Sequence, residues 1–122
     1  MAHHLLPHAQ AEERALYPVV AKVIGAPEAT ATMRRDHVEI ARLVEELGAQ
    51  RERLTGPAIS AGEVQTLRRI LYGLYSMVKL HFTKEEEVYL PLLDARLTAS
   101  EATAMFEAME RAAHEAKDAA SR

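Results

Sequence analysis

The sequence of 122 residues contains no cysteine, no block of basic residues and no long apolar run. Without cysteine the chain has no disulfide, no thiolate metal site and no cysteine nucleophile, so any metal must be bound by nitrogen and oxygen ligands. No segment approaches the roughly 18 apolar residues of a membrane span, and the N-terminal stretch lacks the basic and apolar regions of a signal peptide. The composition therefore predicts a cytoplasmic protein with no membrane partner.

Charge and hydrophobicity narrow the class of protein further. Lys and Arg together number 15 against 18 Asp and Glu, which gives a formal net charge of −3, and the basic residues are dispersed. A nucleic-acid partner is not expected from such a distribution. Hydrophobic residues make up 48% of the chain, enough for one core at this length. We therefore expect a single domain over residues 1–122.

Strand signals are weak, because Ala, Leu, Glu and Arg dominate and apolar residues recur every three or four positions. Gly and Pro near 25–27 and 56–62, and a break at 94–100, predict four helices at about 5–24, 28–54, 62–95 and 99–120. Thr98 and Glu101 have the spacing of a capping box at the start of the fourth helix. Short connections make neighbouring helices antiparallel, so the predicted fold is all-α, an up-down-up-down four-helix bundle.

One short pattern occurs twice. The stretch HAQAEERALYP at 8–18 returns as HFTKEEEVYLP at 81–91, with His, Glu, Glu, a tyrosine-containing pair and Pro at matching offsets. At about 100° per residue, His8 and Glu12 fall within the apolar stripe of the first helix. His81 and Glu85 fall within that of the third helix.

A further histidine, His37 in RRDHVEIARLVEEL, lies on the predicted inner face of the second helix. Three helices thus direct five titratable groups towards the core, where an unpaired polar group costs a few kcal/mol and an unpaired carboxylate costs more. A cation would compensate, since imidazole nitrogen and carboxylate oxygen are suitable ligands and the i, i+4 spacing suits chelation. The predicted metal ligands are His8, Glu12, His37, His81 and Glu85.

Simpler interpretations exist for each part of this pattern. A single His-x-x-x-Glu pair is often a surface hydrogen bond, and His37 alone could be a core histidine bonded to a carbonyl or to a glutamate. Glu13, Glu86 and Glu87 rotate away from the apolar stripes and are expected in solvent. Tyr72 and Tyr75 are expected to be core aromatics or, near a metal, hydrogen-bond donors to a bound ligand. No Ser-His-Asp set or Gly-rich phosphate loop is present.

The pattern H-x-x-x-E-E with an aromatic-aliphatic pair and Pro, alternating with D-H-x-x-I, resembles the hemerythrin-like (HHE cation-binding) domain family over residues 4 to about 95. The resemblance implies a four-helix bundle with a non-haem di-iron site, in which two iron ions are bridged by carboxylates and an oxo or hydroxo group. By this resemblance His8 and Glu12 match one motif, His37 the lone histidine, and His81 and Glu85 the second motif. The function it implies is binding, sensing or consumption of dioxygen, peroxide or nitric oxide, or iron handling, and it leaves open whether the protein is an enzyme.

The chain departs from that family in one respect. Members usually begin with another helix carrying a lone histidine, and here only Met1 to Pro7 precede His8. Either a second copy completes the bundle as a homodimer, or the helix at 99–120 takes the vacant place and the chain is a circular permutant. His114, Glu110 and His4 are the candidates for a completing ligand.

Two other functions are compatible with the sequence. The chain could be a metal-poor helical interaction or dimerisation module, which the Ala-rich fourth helix would suit. Alternatively, the same nitrogen and oxygen ligands could hold a single zinc or manganese ion.

Overall fold

The computed structural model describes residues 2–54 and 59–120, with side chains from residue 5 onward. It consists of four long helices, and the described residues contain no strand. Helix α1 comprises Ala2–Ala11, a π-helical turn at Glu12–Leu16 and Tyr17–Ile24. A 3-10 turn at Pro27–Thr30 leads into α2, Ala31–Arg53. Helix α3 comprises Ala61–Lys84, a second π-helical turn at Glu85–Tyr89 and Leu90–Arg96, and α4 is Ala99–Ala120. The all-α fold and the predicted helices are confirmed, each boundary agreeing to within three residues.

Local signals explain where the helices begin and end. Gly25 closes α1 in the left-handed conformation, with φ of 82°, and its N–H donates to the Ala21 carbonyl at 2.8 Å. Glycine adopts this conformation without the steric cost of a Cβ. The predicted capping box is present, since the Glu101 N–H donates to Thr98 Oγ1 at 3.1 Å and the Thr98 N–H donates to Glu101 Oε1 at 2.9 Å. The predicted breaker at Gly56-Pro57 lies outside the described residues.

The helices pack in two well-defined pairs, α1 with α4 and α2 with α3. Helix α4 runs antiparallel to α1, because Lys22 lies near Glu101 at the start of α4 while Arg14 pairs with Glu115 near its end, at 3.1 Å. Met105 of α4 also enters a core cluster with residues of α1, α2 and α3. The C-terminal helix thus covers α1 within one chain, as the second of the two expected arrangements requires.

The core has two parts. One contains seven buried residues from all four helices, namely Leu16, Tyr17, Val20, Met33, Tyr89, Leu93 and Met105. The other lies between α2 and α3 and contains Ile40, Leu43 and Leu74. The candidate functional residues lie between these two clusters. Among the helices that the structure describes, none combines the length and apolar character needed to cross a bilayer.

A regular rotation of 100° per residue predicts Val88 on the inner stripe of the third helix and Phe106 on that of the fourth, and both predictions were wrong. Val88 is 55% exposed, and the neighbouring Tyr89 is buried instead. The reason is the π-helical turn at Glu85–Tyr89, because a widened turn changes the rotation of the residues within it relative to 100° per residue. Phe106 is also half-exposed, and α4 buries Met105 in its place. The expectation that Tyr72 and Tyr75 are core aromatics fails too, since these side chains are 68% and 63% exposed.

Candidate metal centre

Three buried side chains from three helices converge in the bundle interior. They are Glu12 of α1, His37 of α2 and His81 of α3, which are 2%, 7% and 2% exposed. His37 Nε2 lies 3.0 Å from Glu12 Oε1 and 3.0 Å from His81 Nε2, and His81 Nε2 lies 3.4 Å from Glu12 Oε1. Two imidazole nitrogens and one carboxylate oxygen at these separations form a group that could hold a metal ion.

The two remaining predicted ligands lie at the edge of this group. His8 Nε2 is 3.4 Å from Glu12 Oε2, and Glu85 Oε1 is 3.3 Å from His81 Nε2. Glu85 is buried, whereas the His8 side chain is 51% exposed. Glu12 therefore directs one oxygen at the buried imidazoles and the other at His8. The structure brings all five predicted residues into one contiguous cluster, and their role as ligands stays a prediction.

Both repeated motifs contain a π-helical turn that begins at the motif glutamate. The Tyr17 N–H donates to the Glu12 carbonyl, and the Leu90 N–H donates to the Glu85 carbonyl, each five residues back. Pro18 and Pro91 follow directly. A proline ring crowds the carbonyl four residues before it, and a widened turn relieves that contact. The Glu-Glu…Pro pattern therefore accounts for a local distortion at the position where the carboxylates enter the core.

The Glu12 carboxyl is ionised in spite of its burial. Removal from water raises its pKa, but hydrogen bonds with His37, His8 and His81 together outweigh that effect and hold the pKa well below its usual range. The hydrogen bond with Glu12 in turn raises the pKa of the His8 imidazole. The interior thus carries a buried negative charge surrounded by imidazoles.

Asp36 was not predicted as a site residue, and it orients His81. Its Oδ2 lies 3.1 Å from His81 Nδ1 and also accepts from the Lys84 ammonium. Partial burial raises the pKa of Asp36, but the bonds with Lys84 and His81 have the larger effect, so the pKa is lower than its usual value. Because an ionised carboxylate only accepts, the bond to Asp36 places a proton on His81 Nδ1, and in a neutral ring the Nε2 lone pair then faces the cluster. A carboxylate partner of this kind commonly orients a metal-bound histidine. The D-H dipeptide was visible in the sequence, but its aspartate contacts a different histidine.

Tyr17 is the second residue that the sequence analysis missed. Its side chain has no solvent exposure, and its ring stacks on that of His37 with centroids 5.5 Å apart. The hydroxyl lies 3.0 Å from His81 Nε2, 3.2 Å from His37 Nε2 and 3.4 Å from Glu12 Oε1. Burial and the Glu12 charge raise its pKa, so the side chain is a neutral phenol in this arrangement. The sequence does contain a signal for this difference. Counted from the motif histidine, Tyr17 stands one position later in its motif than Tyr89 does in the other.

The hydrogen bonds around His37 test whether a cation fits. Its Nδ1 is buried without a hydrogen-bond partner, and the Glu13 carboxylate oxygen lies 3.8 Å away. When the His37 proton is on Nδ1, the lone pairs of both Nε2 atoms and of Glu12 Oε1 point at one another. The Tyr17 O–H can donate to only one of these three atoms, whereas a cation between them would satisfy all three. Neutral imidazole nitrogen and carboxylate oxygen are ligands that iron, zinc and manganese accept, so the residues present fit a cation.

Helix α4 contributes none of the candidate ligands to this cluster among the residues described. His114 is 79% exposed at its side chain and pairs with Asp118 at 3.6 Å, and Glu110 is exposed. The side chain of His4 lies outside the described part of the chain. Helix α4 instead presents Met105, Met109 and Ala112 to the bundle.

A groove of about 220 Å³ leads from the surface to the edge of the cluster. Its polar lining comes from His8, Glu12 and Glu85 of the cluster and from the exposed Glu86. Its apolar lining comes from α1, α3 and α4 and comprises Leu16, Phe82, Leu90, Phe106 and Met109. One water occupies roughly 30 Å³ of liquid, so the groove has room for a small molecule beside the two carboxylates.

Comparison with known families matches residues 1–93 to the hemerythrin HHE cation binding domain. The match includes all five predicted ligands, together with Tyr17 and Asp36, and it excludes α4. No curated protein and no solved structure matches the chain. Because the family match covers about three quarters of the sequence, the chain belongs to the hemerythrin HHE cation-binding domain family.

Proposed function

We propose that this protein is a non-haem di-iron protein of hemerythrin type. The observation that carries the proposal is the division of the Glu12 carboxylate, whose Oε1 faces His37 and His81 while its Oε2 faces His8. One iron would lie against the two buried imidazoles and the other against His8. Glu12 would bridge them, and Glu85 would provide the second carboxylate. Bridging of two metals by carboxylates is well known in helical bundles.

The exogenous ligand in this proposal is dioxygen, hydrogen peroxide or nitric oxide. Iron with an open coordination position supplies the capacity to bind such a molecule and exchange electrons with it. The chain supplies the path for such a molecule. The groove reaches Glu12 and Glu85, and its walls are apolar at Phe82, Phe106 and Met109. His8 is half-exposed at this edge, so its side of the cluster is open to solvent.

A cytoplasmic setting is part of the proposal, because a chain without cysteine suits a reducing compartment. The homodimer was one of the two arrangements expected from the sequence, and light scattering tests it. Turnover of hydrogen peroxide by the iron-loaded protein, compared with that of His81→Ala, decides whether the centre is catalytic.

One observation favours a second candidate, a single zinc or manganese ion. The three most buried ligand atoms, on Glu12, His37 and His81, already form a compact set without His8. Three protein ligands with an open position are typical of catalytic zinc. A single ion would occupy this set and leave His8 as a surface residue paired with Glu12.

Metal content per chain separates these functions. Untagged protein grown with added iron is analysed by plasma mass spectrometry, and its visible spectrum is recorded in air. The proposal expects about two irons per chain, falling strongly in His81→Ala and unchanged in His114→Ala, which removes an exposed histidine of α4. A single zinc or manganese per chain supports the second candidate. Stable helical protein with little metal refutes both and supports the metal-poor interaction module.

A further inference from the structure

Four polar atoms, rather than three, meet at the centre of the bundle. The phenol oxygen of Tyr17 lies as close to the two Nε2 atoms and to Glu12 Oε1 as these atoms lie to one another. The six separations among the four atoms all fall between 3.0 and 3.4 Å. Four points at nearly equal mutual distances form a tetrahedron.

The size of this tetrahedron matches a metal coordination sphere. The centre of a regular tetrahedron lies at about 0.61 of the edge length from each corner, so edges of this length place a central ion about 1.8–2.1 Å from every donor, close to the roughly 2.0–2.2 Å of metal bonds to histidine and carboxylate. Hydrogen bonding alone requires only pairwise contacts. The six distances, from 3.0 to 3.4 Å, fit four donor atoms arranged around a common central ion.

The comparison of the two motifs shows that this phenol is a specific feature of α1. Counted from the motif histidine, Tyr17 corresponds to Leu90 of α3, and Tyr89 corresponds to Leu16. Tyr89 is buried as well, but its hydroxyl donates to the Ala29 carbonyl at 3.1 Å and takes no part in the cluster. A shift of one position along the helix rotates a side chain by about 100°, and that shift aims Tyr17 at the imidazoles.

We propose that Tyr17 is a fourth protein ligand of the cation bound by Glu12, His37 and His81. This inference rests on the proposed metal binding. On coordination the phenol O–H bond breaks, a bond from oxygen to the metal forms, and the proton leaves to solvent; no electron is transferred. The ion then has two anionic oxygens and two neutral nitrogens as donors. Two negative charges stabilise trivalent iron relative to divalent iron.

Spectroscopy of the ferric protein tests this ligand directly. Iron(III) bound to a phenolate has a strong charge-transfer band in the visible, and excitation in that band enhances the ring vibrations of the tyrosinate in resonance Raman spectra. Wild-type protein and Tyr17→Phe are loaded with iron, and iron content is measured on the same samples. We expect Tyr17→Phe to retain iron at the remaining ligands and to lose the band and the ring vibrations.

Tyr89→Phe is the matched control, because it removes a buried tyrosine hydroxyl from the other motif without touching the cluster. It should keep the band at wild-type intensity. Wild-type protein that contains iron but lacks the band and the vibrations overturns tyrosine ligation and leaves the proposed function intact. If circular dichroism shows that Tyr17→Phe is unfolded, the wild-type resonance Raman spectrum alone is decisive. Tyrosinate ring vibrations support the fourth ligand, and their absence in iron-loaded protein overturns it.

A second metal keeps the two hypotheses separable. Wild-type protein that takes up no iron contradicts the proposed function, and Co²⁺ then serves as the probe, because its visible spectrum depends on ligand number and type. A cobalt spectrum that changes in Tyr17→Phe but not in Tyr89→Phe supports the fourth ligand. Identical cobalt spectra for wild type and Tyr17→Phe overturn it.

Discussion

Replacing Asp36 with alanine tests how the buried imidazoles are oriented. The Asp36 carboxylate accepts from His81 Nδ1 at 3.1 Å and so keeps the Nε2 lone pair directed at the cluster. In Asp36→Ala the His81 ring is free to rotate and to move its proton to Nε2, where it would block coordination. Removing such a partner typically weakens metal binding by roughly 10- to 100-fold, or about 1.4–2.7 kcal/mol.

The same free energy must appear in the stability of the metal-loaded protein. A ligand that binds only the folded state stabilises it in proportion to the logarithm of its affinity. For a chain of this length 1 kcal/mol corresponds to roughly 3–4 °C in the unfolding temperature, so the rise in Tm caused by saturating metal should be smaller by about 4–10 °C in Asp36→Ala. The affinity is measured by competition with a chelator, using ferrous iron under nitrogen, and the Tm by circular dichroism.

Two variants control for charge and for location. Glu39→Ala removes a carboxylate from the same helix, where Glu39 pairs with Arg42 at the surface. The metal affinity of this variant should equal that of wild type. Lys84→Met removes the second partner of Asp36 while keeping the bond to His81, and should weaken metal binding less than Asp36→Ala does. If Asp36→Ala binds metal within threefold of wild type, Asp36 does not orient His81 and the reasoning is refuted.

Three further predictions concern stability. Leu74→Ala should cost about 2–5 kcal/mol in urea unfolding because Leu74 is 2% exposed beside Ile40, whereas Leu80→Ala, at a position 59% exposed, should stay within about 0.5 kcal/mol of wild type. Equal losses of stability in Leu74→Ala and Leu80→Ala would contradict the placement of Leu74 in the core. Thr98→Ala should cost about 1 kcal/mol through loss of the cap on α4; an unchanged urea midpoint would contradict this role. The bond to the Thr98 backbone holds the pKa of Glu101 below its usual value, so its contribution is present above the ordinary carboxyl pKa and lost as the pH falls through the lowered one. The stability difference between wild type and Glu101→Ala should therefore shrink in acid, and a constant difference from neutral to acid pH would contradict it.

Much of the fold follows from short-range features of the sequence. Apolar residues at intervals of three and four, Gly25 at a helix end and the Thr98 capping box depend only on neighbouring residues, and the helices they predict agree with the structure. The spacing of His8 from Glu12 and of His81 from Glu85 is equally local. One turn of helix places both members of each pair together, whatever the rest of the chain does.

Side-chain directions predicted at 100° per residue were wrong where the helix is not regular. The π-helical turns at Glu12–Leu16 and Glu85–Tyr89 change the side-chain directions within and after them, so Val88 turned outward and Tyr89 inward. Prolines at 18 and 91 were visible in the sequence. The response of the backbone to each of them was not, because a proline can also kink or end a helix.

By itself, the sequence determined the helical class, the order of the helices and which five side chains were candidate metal ligands, since each depends on spacings of a few residues. Only the tertiary structure decided which atoms meet. It set the two oxygens of Glu12 against different histidines, brought Asp36 of α2 to His81 of α3, and aimed Tyr17 but not Tyr89 at the imidazoles. These contacts join residues on different helices or depend on helix rotation, so they are fixed by how the helices pack rather than by local spacing.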